Sequence, residues 1–230
     1  MRPEAETARA AQGGHDAGAP AVVLRGVSRL FGRTPALVRV DLRVEQGESV
    51  LVRGHNGAGK STLLQIVATA LSPTFGHGRV LGHDLLRGRA EIRRRTEFLG
   101  HRARMYDELT AEENLRFCAK VHGFGTAGVR PALERVGLAA TPGLVRTFSP
   151  GMRQRLALAR VVLRHPSLLV LDEPYASCDD AAKDLVDEVV RGVVRAGGTV
   201  LSATHDPGRG DWADRTVWLD AGRVPAAGGC

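Results

Sequence analysis

Gly54-His55-Asn56-Gly57-Ala58-Gly59-Lys60-Ser61-Thr62 fits the pattern G-x-x-x-x-G-K-[ST] from Gly54 to Ser61. Each residue type has a task there. The glycines permit a tight turn whose backbone N–H groups point inward at phosphate oxygens. Lys60 supplies a point charge for the β- and γ-phosphates, and Ser61 offers a hydroxyl to Mg²⁺. The context agrees: residues 48–53 read as a strand, and residues 60–71 read as a helix whose N-terminus adds its dipole. Gly54, His55, Asn56, Gly57, Ala58, Gly59, Lys60, Ser61 and Thr62 are therefore the candidate nucleotide-binding residues, and the ligand is a nucleoside triphosphate.

Three stretches further along fit such a site. Leu168-Leu169-Val170-Leu171-Asp172-Glu173 reads as a strand buried on both faces of a parallel sheet. Its two carboxylates fall at the strand's C-terminal end, where such sheets bind ligands. Asp172 is the candidate metal residue, and Glu173 the candidate for polarising an attacking water. A second buried strand over 199–204 ends in His205, which could reach a γ-phosphate. In Phe148-Ser149-Pro150-Gly151-Met152, Ser149 is a good helix N-cap and Pro150 suits the first helical position. Taken alone, that stretch reads better as a plain capped helix with a core face through Met152, Leu156, Ala159 and Leu163 than as an anion-binding helix start.

The composition is that of an ordinary globular chain: 230 residues, 43% hydrophobic and 25% charged. Apolar runs of about 18 residues, the membrane-spanning length, are absent. The first twenty residues lack the apolar core of a secretory signal and read as a disordered tail, and 225–230 as a flexible one. Cys118, Cys178 and Cys230 have no metal spacing and an odd count, which predicts a reduced, cytosolic protein. The net charge of +7 raises a nucleic-acid reading. Its densest cluster, Arg87 to Arg95, has no stacking aromatics interleaved, so it reads as a solvated helix face and nucleic acid is not an expected partner.

The rest of the chain supplies the frame. Strands are expected over 22–27 and 37–44, giving an antiparallel portion before the loop. Phe31 beside them is either a packing residue or a flat face for adenine. Residues 73–78 read as a loop, 79–81 as a short strand, Gly82-His83-Asp84 as a turn and 96–99 as a strand. From Thr110 the period becomes helical, with Thr110 and Glu113 forming a capping box. Helices over 129–136 and from 149 complete a mostly helical insert. The expected fold is α/β: a phosphate-loop NTPase core with a mixed or parallel sheet, an N-terminal antiparallel β portion and an inserted helical subdomain over about 101–165, within a unit of 21–224.

Taken in order and spacing, these motifs resemble those of the ATP-binding subunits of ABC transporters, over about residues 21–220. The likeness rests on the phosphate loop, the strand ending in Asp172-Glu173, the signature-like 148–152 and Ser202-Ala203-Thr204-His205-Asp206. It implies ATP and Mg²⁺ as ligands and head-to-tail pairing, with this chain or a paralogue as the second copy. Ser149, Pro150, Gly151 and Met152 would then face the partner's ATP, and Phe31 would take the adenine-stacking place. It further implies integral membrane permease partners and a peripheral location on the cytoplasmic face of the membrane. Three residues depart from the family pattern. Pro150 replaces the first signature glycine and removes an N–H. His101 stands where a Mg²⁺-reaching glutamine is usual, which makes it the remaining metal candidate. Cys178 replaces a leucine. Leu99-Gly100-His101 and residues 109–117 are most similar to the haem-exporter ATPase subunit of cytochrome c maturation; another small exporter ATPase and a soluble non-transport relative are the alternatives.

Overall fold

Five strands form the centre, and in four of them no residue is exposed. In the computed structural model, which describes residues 18–100, 105–176 and 178–225, every residue of β7 (Leu168–Asp172) and β8 (Thr199–Ala203) is buried. They lie in a parallel sheet of order β6-β7-β8-β3-β9, with β3 at Ser49–Arg53, β6 at Thr96–Leu99 and β9 at Arg215–Trp218. Alternate residues of these strands feed two separate cores. Leu169, Leu171 and Val200 face one, and Leu168, Val170 and Leu201 the other. Each fully buried Leu or Val contributes about 1.5–3 kcal/mol.

One core is shared with α1 (Lys60–Val67), α2 (Arg89–Arg95) and an antiparallel sheet of order β2-β1-β4-β5. Its strands are β1 (Val22–Phe31), β2 (Thr34–Val44), β4 (Phe75–Val80) and β5 (His83–Asp84). The other core is shared with α3 (Ala111–Val121), α4 (Val129–Arg135), α5 (Pro150–Arg164) and α6 (Asp180–Arg195). Helices α3, α4 and α5 fall between β6 and β7, where the sequence places a helical block. The sheet containing the phosphate-loop strand is parallel throughout, and the antiparallel strands form their own layer.

Several local expectations are corrected. Residues 75–78 are strand, because Gly76 and Gly78 allow β4 to approach β1 closely. A Cβ would lie 2.4 Å from the Gly26 carbonyl oxygen at Gly76, and 2.6 Å from that of Val23 at Gly78. His83 and Asp84 pair with β4 instead of forming only a turn. Helix α1 stops at Val67 rather than continuing to 71, since Thr69 takes a left-handed φ of 56°. Two arginines of the basic cluster hold it there. Arg89 Nη2 and Arg93 Nη2 donate to the Thr69 carbonyl at 2.8 and 2.7 Å. Those side chains seal the end of α1, so the cluster is not merely a solvated face; Arg94 pairs with Glu91. In β6, buried Glu97 accepts from Arg160 at 2.6 Å and from Arg164, tying α5 to the sheet edge. The tail residues 1–17 and 226–230, and His101, lie outside the described residues.

Candidate active site

The phosphate loop leaves β3 and enters α1. Its glycines are required by geometry. Gly54 has φ 153° and Gly59 φ 101°; a Cβ would sit 2.0 Å from the Leu219 carbonyl oxygen at the first and 2.4 Å from that of Ala36 at the second. Gly57 has φ 80°, again a left-handed conformation. Gly59 caps α1 without a side-chain bond, and no acid lies in that first turn. By contrast Thr110, Ser149 and Asp179 cap α3, α5 and α6 with their own oxygens. The start of α1 therefore keeps its N–H groups available to an anion. Lys60, buried, donates from Nζ to the carbonyls of Gly54 (2.8 Å) and His55 (3.1 Å), folding its charge across the loop.

Facing the loop is the end of β7. Ser61 Oγ donates to Asp172 Oδ1 at 2.9 Å. A hydroxyl beside a carboxylate is an oxygen donor set that fits Mg²⁺, which takes few protein ligands and completes its octahedron with phosphate and water. Among the described residues there is no cluster of three His, Cys, Asp or Glu of the kind a transition metal would need. Glu173 follows with a left-handed φ of 54°, and its N–H bonds Ala203. That backbone twist turns its carboxylate toward His205. Glu173 Oε2 lies 2.8 Å from His205 Nδ1 and accepts from the His205 N–H at 3.2 Å. Glu173 is 11% exposed and His205 67%, so the carboxylate is sheltered while the imidazole reaches outward.

The other candidates are arranged around this centre. Phe31 ends β1, half exposed, with the Arg29 guanidinium 4.7 Å from its ring centroid. The hairpin it belongs to touches the loop through Ala36 at Gly59. His55, Asn56 and Gly57 are exposed, Ala58 is buried, and Thr62 lies in α1. The stretch 149–152 stands apart. Ser149 accepts from Met152 N at 3.3 Å, Pro150 occupies the first turn, and a side chain at Gly151 would meet open space. Its nearby polar ties run from Arg153 to Asp107 (2.6 Å) and from Gln154 Nε2 to the Pro174 carbonyl (3.1 Å). The capped helix is present, and the glycine beside it is half-buried with room for a side chain. Sequence reasoning passed over Arg29 and Gln154; an Arg two residues before Phe31, and a Gln five after the Ser149 cap, were the available signals. A cavity of about 780 Å³ opens beside Ser61 and Asp172 and extends to Tyr106 and Phe117.

This geometry defines a phosphate-loop nucleotide site with a carboxylate–histidine pair. The ABC transporter family model matches residues 37–176, and the chain belongs to that family as an ATP-hydrolysing cassette. It is 39% identical to the daunorubicin resistance ATP-binding protein DrrA3 of Streptomyces coeruleorubidus, over 90% of this chain and 68% of that protein. A second daunorubicin-resistance relative is spanned over 65% of its length, so the chain covers about two thirds of each. It is 36% identical to the cytochrome c biogenesis ATP-binding export protein CcmA of Cupriavidus pinatubonensis, over 82% of this chain and 87% of that one. A dimeric, post-hydrolysis structure of the ATP-binding cassette MJ0796, bound to ADP and Pi, superposes with a TM-score of 0.81. That likeness holds at 25% identity over 89% of this chain and 96% of that one.

Proposed function

We propose that the chain powers export across a membrane, two copies (or one copy and a paralogue) closing on two ATP molecules beneath separate permease subunits. The observation that carries the reading is the Glu173–His205 pair beside the Ser61–Asp172 contact. In this reading Lys60 and the N–H groups at the start of α1 hold the phosphates. Glu173 orients and deprotonates the attacking water, and His205 bridges that carboxylate to the γ-phosphate. Ser61 and Asp172 would hold Mg²⁺, which when bound neutralises charge on the phosphate oxygens. Phe31 supplies a flat face to the base. Ser149, Gly151 and Met152, with Pro150 at the first turn, present the end of α5 to the second copy's ATP. The working unit is residues 21–224, with a helical subdomain over about 101–165.

Support for a membrane partner comes from the relatives' names and from exposed apolar surface on the helical block. Among the described residues no helix is long and apolar enough to cross a membrane. Tyr106 and Phe117 pack edge to face with centroids 4.7 Å apart and stay largely exposed, next to exposed Val121. The complex would sit on the cytoplasmic face, and the expectation of no nucleic-acid partner is retained as part of this reading. Haem export for cytochrome c maturation is the first cargo reading, supported by the CcmA relatives at 36–40% identity. Export of a drug such as daunorubicin is the second, supported by relatives at 39% and 37%.

Affinity purification of the tagged chain from mild-detergent extracts of membranes tests this. Recovery of small membrane subunits of a cytochrome c assembly system supports the haem reading. A multi-span permease of another type supports the drug-export reading. ATPase activity with no membrane protein recovered contradicts the transport role.

A further inference from the structure

Helix α6 buries Ala182, Val186, Val189, Val190 and Val193 against the sheet, and among them it buries a carboxylate, Asp187, only 4% exposed. A buried charge is costly unless its partners satisfy it. Here both oxygens are engaged. Tyr175 Oη donates to Asp187 Oδ1 at 2.5 Å, and Arg209 Nη1 donates to Oδ2 at 2.7 Å. Trp212 Nε1 donates in turn to Tyr175 Oη at 3.0 Å, and Tyr175 and Trp212 are themselves buried. Burial, reinforced by the bond to Asp187, holds the Tyr175 phenol far above its usual pKa, so it stays a donor at any working pH.

The partners' positions in the chain matter more than the bonds themselves. Tyr175 lies two residues beyond Glu173, and Arg209 four residues beyond His205. A parallel tie, Lys183 Nζ to Asp206 Oδ2 at 3.0 Å, fastens the residue next to His205 onto the same helix. The Arg209 carbonyl also accepts from Arg53 Nη2 at 3.1 Å, one residue before Gly54. The segments following Glu173 and His205 thus meet on α6, and the strand leading to the phosphate loop joins them through Arg53.

We propose that Asp187 is a positioning residue for ATP hydrolysis, its buried carboxylate clasping the segment behind Glu173 to the segment behind His205. The proposal rests on the reading of Glu173 and His205 given above. A fold needing only stability at this place could fill it with apolar side chains of similar volume at little or no loss. A carboxylate with two directional partners instead fixes where two backbone segments lie relative to each other. Misplacing reacting groups by about 1 Å can cost about 10²-fold in rate. The short tethers from Tyr175 and Arg209 pass a shift at Asp187 directly to the Glu173–His205 contact.

The test is steady-state ATP hydrolysis by Asp187→Ala, Asp187→Asn and Tyr175→Phe in the full chain, with Glu173→Gln in the same series and thermal melting of each. The expected result is a fall in kcat of about 10- to 100-fold for Asp187→Ala with KM for ATP within about threefold of wild type. Asp187→Asn, which still accepts from Tyr175, should regain part of the loss. Tyr175→Phe removes one hydroxyl and keeps the volume, so it reports even where Asp187→Ala does not fold, with a several-fold loss in kcat alone. Folded variants with wild-type kcat, or a rise in KM with kcat unchanged, would overturn the clasp. If Glu173→Gln is inactive while the Asp187 and Tyr175 variants turn over normally, only the clasp falls. If Glu173→Gln itself hydrolyses ATP normally, the assignment of Glu173 falls and takes the clasp with it.

Discussion

The phosphate-loop end of the parallel sheet and the start of α5 both set a hydroxyl beside glycine at a helix start, yet they are built in opposite ways. At the loop, polar groups bond one another: Lys60 to the Gly54 and His55 carbonyls, Ser61 to Asp172, Glu173 to His205. Gly54 and Gly59 are enforced by backbone neighbours closer than a Cβ allows, and Gly57 by its left-handed φ. At the start of α5, Ser149 satisfies its own helix, while Gly151 faces open space with no steric need to be glycine. The first region is organised from inside the chain. The second satisfies only its own helix, and in the proposed pairing it is this helix start that serves a second copy.

The largest test of this contrast is Lys60→Ala. Removing the buried ammonium should weaken binding of a fluorescent ATP analogue and lower turnover about 10²- to 10³-fold, the scale for losing one preorganised charge donor. Unchanged binding would mean the loop is not the phosphate site. Gly59→Ala comes next: a Cβ at φ 101° and 2.4 Å from the Ala36 oxygen should destabilise the fold by about 1–3 kcal/mol and disorder the loop, read by denaturant melts. Gly151→Ala, where there is room, should leave stability nearly unchanged, so equal costs at the two glycines would break the comparison.

Ser149→Ala should cost about 1 kcal/mol through the lost cap. If the same hydroxyl serves the partner site, as proposed, its turnover should fall further than that instability explains. The smallest effect lies far from both regions and acts as a control. Asp214 Oδ2 accepts from the Ser49 N–H and Oγ at 2.8 and 2.7 Å, which holds its carboxyl below the ordinary value of 3.8. A folded pKa below the unfolded one stabilises fully above pH 3.8 and loses that stabilisation as pH falls through the folded value. Asp214→Asn should therefore lower the melting temperature slightly above pH 3.8, and the difference should close well below it.

What the sequence revealed was encoded locally. The phosphate loop, the capping box of Thr110 and Glu113, the Ser149 cap and the buried strand ending in Asp172-Glu173 each depend on residues within a few positions of one another. What it hid depends on distant partners. Phe75-Gly76-His77-Gly78 looks like a loop until β1 lies against it, and then the glycines are what allow the strand to pair. The end of α1 is set by arginines 20 and 24 residues away at Thr69. Glu97 reads as one polar residue in a short strand; its two arginines lie more than sixty positions further on. Asp187 is hidden for the same reason: an acid on a helix is unremarkable until Tyr175 and Arg209 are seen to close on it.

In the proposed mechanism, one complete half-site and one presented half-site make a working enzyme only in pairs, with Glu173 driving hydrolysis. Light scattering of Glu173→Gln with and without ATP and Mg²⁺, alongside its turnover, tests this most directly. The expected result is turnover down by about 10²-fold or more and a monomer that becomes a stable dimer when ATP is added. Normal turnover, or an inactive protein that stays monomeric at saturating ATP, would contradict it.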